Sequence, residues 1–88
     1  MLNQLLPFVL PFENLYHLSI THSETHIRIE SDGQLAMEIV ETHTGVKIST
    51  VHFDVGAPLV LGFTSFQDAL MHVVMNLGGL IETPRTVL

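Results

Sequence analysis

The chain has 88 residues, enough for one domain, and its composition of 47% hydrophobic and 14% charged residues excludes an intrinsically disordered protein. The sequence contains no cysteine, which excludes disulfides, thiolate nucleophiles and cysteine-type zinc sites, and fits a cytoplasmic protein. Three basic residues stand against nine acidic ones, for a net charge of −6, so neither nucleic acid nor a membrane surface is predicted as a partner.

Residues 1–14 are predicted to form an apolar arm or a short edge strand. Pro7 and Pro11 interrupt "MLNQLLPFVLPF", so a continuous helix is not expected there. The segment lacks the positive start of a signal peptide, and it reaches Glu13 well before the about 20 apolar residues that a membrane span needs. Such an arm either packs on its own domain or embraces a second chain.

Apolar and polar side chains alternate with a period of two over residues 15–53, and this pattern predicts β-strands. A loop of two residues at 22–23, one of three at 31–33 and one of four at 42–45 would keep the apolar side chains on one face. This region is therefore predicted to be a four-stranded antiparallel meander. The opposite pairs that these loops predict are Ile20 with Thr25, Leu18 with Ile27, Ile27 with Met37, and Ile39 with Ile48.

Glycines and a proline interrupt residues 54–63, which are predicted to connect the sheet to a C-terminal helix, with room for a brief extended segment at Leu59 to Leu61. The helix is expected over residues 64–77, with Thr64 as the N-cap and the glycine pair that starts at Gly78 as the stop. Residues 78–88 are predicted as a tail that is either loose or forms a short edge strand. The predicted fold is a single α+β domain, in which one C-terminal helix packs on the apolar face of the meander.

The predicted helix carries more apolar surface than one sheet can cover. At 100° per residue, one narrow apolar sector of the helix is expected to pack against the sheet. It contains Phe66, Ala69, Leu70, Val73 and Leu77. A polar line consists of Asp68, His72 and Asn76. A second apolar stripe consists of Met71, Val74 and Met75, and apolar surface of this kind usually marks an interface.

A second copy of the chain, the protein's own termini or a foreign partner could cover this second stripe. We favour a second copy, because dimers are the commonest closed assembly and a small domain without disulfides often gains stability by oligomerisation. The predicted interface residues are Leu5, Phe8, Leu10, Met71, Val74 and Met75.

A metal site is the strongest chemical alternative. The predicted registers place His26 opposite Glu38, with His17 on the diagonal, and two imidazoles with one carboxylate are a plausible zinc set. Solvated strand residues with a cross-strand pair explain the same pattern. The sequence has no His-Glu-x-x-His motif, so neither a metal nor a cofactor is predicted.

Catalysis is not predicted either. An aspartate could orient a histidine in the pairs Asp68 with His72 and Asp54 with His52. No cysteine and no Gly-x-Ser-x-Gly turn supplies a nucleophile, so surface ion pairs are the simpler interpretation.

The sequence thus predicts a small, non-enzymatic protein-interaction module that forms a homodimer in the cytoplasm. Two alternatives stay open at this point. One is an acidic accessory or inhibitory protein that docks on a basic partner protein. The other is a small metal-binding protein that uses its surface histidines.

Overall fold

A five-stranded antiparallel sheet covered on one face by helices forms the α+β fold of this chain. The computed structural model describes residues 1–51 and 58–82, with the backbone alone at Tyr16 and residues 79–82. The strand order is that of a meander, with one strand more than predicted. In chain order the elements are α1 (Leu2–Val9), α2 (Pro11–Tyr16), β1 (Ser19–His22), β2 (His26–Ser31), β3 (Gln34–Glu41), β4 (Val46–Val51), β5 (Pro58–Phe63) and α3 (Phe66–Glu82).

Two short helices occupy the N-terminal segment, which corrects the predicted arm or edge strand. Pro7 lies inside α1 and cannot donate to the carbonyl of Asn3, but both residues are exposed, so water can satisfy that carbonyl. Pro11 occupies the first turn of α2, where the missing N–H costs nothing. The prolines therefore separate two helices and do not prevent them.

A carboxylate of the sheet holds the start of α1. Glu41 at the end of β3 accepts a hydrogen bond from the Leu2 N–H at 3.1 Å, and its other oxygen lies 3.5 Å from the amino group of Met1. Negative charge is favourable at a helix N-terminus, where backbone N–H groups lack partners inside the helix. This contact ties the first turn of α1 to the far end of β3.

The predicted pairing of β3 with β4 is confirmed, because Ile39 lies opposite Ile48. The predicted pairing of β1 with β2 is wrong, because Ile20 lies opposite Ile29 and not Thr25. The reason is local to the turn. The hydroxyl of Ser23 accepts hydrogen bonds from the N–H groups of the residues two and three positions on, and this moves the turn toward the C-terminus.

The turn between β2 and β3 contains two residues rather than the predicted three. Asp32 and Gly33 both have positive φ, 53° and 79°, as a tight hairpin turn requires. A bulge at Ala36 then sets Ile27 opposite Ile39, and not the predicted Met37. Beyond the bulge, both wrong registers are displaced by an even number of residues, so the predicted apolar side chains there still face the core. Before the bulge the displacement is one residue, and Leu35 lies opposite Glu30 and outside the core.

The fifth strand lies in the segment predicted as a connector. β5 pairs antiparallel with β4 and forms one edge of the sheet, with Leu61 opposite Ile48 and Val60 opposite Ser49. Pro58 starts the strand, which is a position where the sheet tolerates proline on an edge. The rest of the predicted connector, residues 54–57, and residues 52–53 of the predicted meander lie outside the described residues.

The C-terminal helix is displaced from its predicted bounds at both ends. Ser65, and not Thr64, accepts the hydrogen bond from the Asp68 N–H at 3.4 Å, so α3 starts at Phe66. The helix continues through Gly78 to Glu82, because a glycine costs a helix about 1 kcal/mol but does not by itself end it. Of the predicted tail, residues 78–82 are helical and residues 83–88 lie outside the described residues.

The core lies between the sheet and the layer that α1 and α3 form on one of its faces. Thr50 is its one buried polar residue among the described residues. The apolar members are Leu2, Leu5 and Val9 of α1, Ala69, Val73 and Leu77 of α3, and Leu18, Ile20, Ile27, Ile29, Met37, Ile39, Val46 and Ile48 of the sheet and its approach.

Candidate interaction surfaces

The outer face of α3 carries the second apolar stripe that the helical periodicity predicts. Met71, Val74 and Met75 are 62%, 42% and 68% exposed, whereas Ala69 and Val73 on the opposite face are fully buried. The sheet and α1 therefore cover one sector of the helix and leave the other in water. We call these three exposed residues the α3 stripe.

The predicted N-terminal members of the interface separate into two groups. Leu5 is fully buried in the core of its own chain, so it is not available to a second chain in this fold. Phe8 and Leu10 are exposed, and the ring of Phe8 lies 5.8 Å from that of Phe66 at the start of α3. The prediction assumed an extended arm, whereas this segment is helical. In α1, Leu5 lies on the buried side of the helix with Leu2 and Val9.

The predicted polar line of α3 is partly turned toward the sheet. The Nε2 atom of His72 lies 3.4 Å from the hydroxyl of the buried Thr50, and its ring lies 5.0 Å from the ring of Phe63. Asn76 donates a hydrogen bond to the His72 carbonyl at 2.7 Å and lies 3.3 Å from Nδ1 of the ring. His72 is therefore a packing contact between α3 and strands β4 and β5, while Asp68 is exposed.

Of the nominated catalytic pairs, Asp68 with His72 lies within the described residues. Thr50 is the hydroxyl within reach of His72, and it is buried in the core. The other nominated pair, His52 with Asp54, lies outside the described residues.

The outer face of the sheet does not assemble the predicted metal ligands. Arg28, and not His26, lies opposite Glu38, because the register of β2 with β3 differs from the predicted one. The Arg28 guanidinium instead contacts Glu30 at 3.0 Å and Glu38 at 3.8 Å.

The two histidines of the predicted zinc set are held elsewhere. His26 lies 3.1 Å from the hydroxyl of Ser23 in the first turn, and His17 ends α2 in the left-handed conformation. In the part of the chain that the structure describes, no three His, Cys, Asp or Glu residues are grouped as a metal site would require.

The free edge of β5 is a second apolar surface, and the sequence did not predict it. Leu59, Val60 and Leu61 are 44%, 49% and 39% exposed. Leu59 and Leu61 lie opposite core residues of β4, so they share the face of the sheet that carries α3, and Val60 is on the other face. The strand contains no charged residue.

The hydrogen-bond pattern fixes which backbone groups of β5 are free. In an antiparallel ladder, hydrogen-bonded pairs alternate with non-bonded pairs. The Thr42 N–H donates to the Gly45 carbonyl at 2.9 Å, and this sets the phase between β3 and β4. Every second residue of β4 from Gly45 onward therefore bonds to β3, and the residues between them, including Ile48, bond to β5. Ile48 is hydrogen-bonded to its partner Leu61.

The alternate residues of β5 therefore point away from the sheet. These are Pro58, Val60 and Gly62, which present two N–H donors, because proline has none, and three carbonyl acceptors. No side chain that the structure describes hydrogen-bonds to these groups.

The other edge of the sheet, at β1, is occupied. The carboxylate of Glu13 in α2 accepts a hydrogen bond from the Ile20 N–H at 3.1 Å. The bond from the Ser23 N–H to the His26 carbonyl sets the phase of β1, and by this phase the Ile20 N–H points outward. A charged side chain therefore satisfies the backbone donor at the centre of this edge.

Comparison with known proteins found no match to this chain among protein-family models, curated proteins or solved structures. A search of the described helices for a segment long and apolar enough to cross a membrane also found none.

Proposed function

We propose that this chain is a small, non-enzymatic protein-interaction module that forms a homodimer in the cytoplasm. The observation that carries this proposal is the exposure of the α3 stripe. Two methionines and a valine lie on one outer face of a helix in a chain that already has a buried core. Burying such surface yields about 25 cal/mol per Å², so contact with a second apolar surface is favourable.

The chemistry of the α3 stripe suits a second copy of the chain. Each copy carries a net charge of −6, so two copies can approach closely only through surface that lacks charge. The α3 stripe is uncharged, and the acidic Asp68 lies at its border. Methionine side chains also adapt their shape to a partner, which supports contact between two identical helix faces.

The test is to introduce charge into the α3 stripe. Met71→Glu combined with Met75→Glu would bury two carboxylates in the dimer, so we expect the double variant to be a folded monomer. Native mass spectrometry and light scattering at neutral pH measure the mass, and circular dichroism checks the helix content.

The matched control is His43→Glu with Thr44→Glu, which adds the same two carboxylates at exposed positions of the turn between β3 and β4, away from α3. We expect this control to have twice the monomer mass, as the wild type does. A wild-type protein that is monomeric at high micromolar concentration would contradict the proposed homodimer.

A further inference from the structure

We infer that the second copy joins along the free edge of β5, which pairs antiparallel with β5 of the partner around a two-fold axis at Val60. Two sheets of five strands would then form one continuous sheet of ten strands. This inference rests on the proposed homodimer, and it assigns the surface and the register by which the copies meet.

The backbone of β5 is self-complementary in this register. With Val60 opposite Val60 of the second copy, each valine N–H donates to the other valine carbonyl. Gly62 then lies opposite Pro58 of the second copy and donates to its carbonyl. All the outward N–H groups of both strands are used, and the Gly62 carbonyl, which faces the proline nitrogen, is left to water.

The side chains of β5 also match a second β5. The register places Leu59 against Leu61 of the second copy, twice, on the face that carries α3, and places valine against valine on the other face. Apolar and β-branched pairs directly across two strands stabilise a sheet. No charge lies between the strands, which lets two acidic chains meet there.

The α3 stripe borders the same region. His72 contacts Thr50 on β4 and Phe63 on β5, so this side of the helix points toward the β5 edge. Met75 follows three residues later, about 60° further around the helix, on the side next to His72. A dimer through β5 would bring the two α3 helices to the same face of the joined sheet, with apolar side chains in the space between them.

A neighbouring register with its axis at Leu61 makes the same number of hydrogen bonds but fits less well. It would place Val60 against Gly62, which has no side chain, and Pro58 against Thr64, where the chain has already bent away from the strand. The Val60 register keeps every paired residue inside β5.

Cross-linking tests the axis directly, because the chain has no cysteine of its own. Residues opposite each other in a hydrogen-bonded pair have Cα atoms about 5.5 Å apart, within the disulfide range. We therefore expect Val60→Cys to form a disulfide dimer rapidly under diamide. The matched control is Thr21→Cys, which lies in the same cross-strand row at the opposite edge and should remain largely monomeric.

Equal oxidation of both variants would overturn the β5 contact. Faster cross-linking of Leu61→Cys than of Val60→Cys would overturn the axis at Val60.

A charge at the axis gives the second test. Val60→Lys places two ammonium groups opposite each other and keeps the β4 pairing, because the Val60 backbone points outward. We expect the dimer dissociation constant to rise about 100-fold, or about 2.7 kcal/mol, with Ser19→Lys on β1 as the unchanged control.

These results separate the two proposals. A wild-type dimer that tolerates Val60→Lys but dissociates on Met71→Glu with Met75→Glu would keep the homodimer and overturn the β5 contact. A monomeric wild type whose Val60 amide is protected from hydrogen exchange would overturn both, because residues of the same chain would then cover the edge.

Discussion

The two edges of the sheet end in different ways. β1 has four residues, with Ser19, Thr21 and His22 exposed, and Glu13 holds its central outward N–H. β5 has six residues and is apolar on both faces, and its outward N–H groups have no acceptor among the side chains that the structure describes. An unpaired edge is a template for another strand unless charge, proline or a covering element blocks it.

The comparison shows that an edge is closed by the segment beside it as much as by its own residues. α2 immediately precedes β1, and His17 adopts a left-handed conformation between them, so the helix can return its Glu13 side chain to the strand. β5 precedes α3, which instead crosses the face of the sheet. The element that could have protected β5 is therefore used to cover the core.

The largest expected difference between the two edges is in side-chain packing. Ile20 in β1 is buried, so we expect Ile20→Ala to lower the free energy of unfolding by about 3 kcal/mol at any protein concentration. Leu61 in β5 is exposed, so we expect Leu61→Ala to cost about 1 kcal/mol or less in the monomer. Urea unfolding at several protein concentrations measures both.

In a dimer that pairs through β5, the cost of Leu61→Ala should increase with protein concentration, because the leucine is then buried by the second copy. A cost that does not depend on concentration would count against β5 as the contact.

Two glycines allow the two ends of β5 to be compared, Gly45 beside its last residue and Gly62 within it. A Cβ on Gly45 would overlap the carbonyl of Phe63, which lies at the end of β5 that is fixed to the sheet. We expect Gly45→Ala to destabilise the fold by about 2–3 kcal/mol, because backbone must move. Gly62 has open space where a Cβ would be, so the matched Gly62→Ala should change the stability of the monomer by about 0.5 kcal/mol or less.

Thermal unfolding of the two alanine variants checks this difference. Equal destabilisation would mean that the outer side of β5 is packed as tightly as its fixed end.

The smallest expected effect concerns the closed edge. Glu13→Ala removes the acceptor of the Ile20 N–H, and we expect a loss of about 1 kcal/mol, because the carboxylate is partly screened by water. Glu13→Gln keeps an oxygen acceptor and should lose less. Hydrogen exchange at Ile20 should accelerate in Glu13→Ala while exchange at Ile27 stays slow, and unchanged exchange at Ile20 would show that Glu13 does not close the edge.

Local periodicity predicted which side chains of the meander face the core except beside the bulge, where Leu35 lies outside the core. The registers depend on turn chemistry, and there the sequence was ambiguous. The hydroxyl of Ser23 and the positive φ of Asp32 select turns that propensity alone does not distinguish. Away from the bulge the faces survived because each wrong register was displaced there by an even number of residues.

The elements that the sequence did not predict all contain glycine or proline at a position where these residues are tolerated. Pro7 lies on the exposed side of α1, Pro58 starts an edge strand, and Gly78 lies inside the last turns of α3. Whether a helix or strand tolerates proline or glycine depends on the exposure of the residue and on its position in the sheet. Both are set by the tertiary structure. The α3 stripe could be predicted because it follows from helical angles alone.

The sequence allowed for a brief extended segment at Leu59 to Leu61, directly after a proline, but did not predict that it forms an edge strand. A proline at the first position of a short apolar run is typical of an edge strand. Its pairing with β4, however, depends on tertiary contacts, and the hydropathy pattern of three apolar residues does not specify them.

The bond from Glu41 to the start of α1 also bears on the order in which the chain acquires its structure during synthesis. α1 is synthesised before the other described elements, but eight residues are too few for a stable isolated helix. Its acceptor lies 39 residues later, and its neighbour α3 starts only at Phe66. The first of the described helices to be made should therefore be among the last to dock, so a nascent chain would expose Leu2, Leu5 and Val9 until translation of α3 is almost complete.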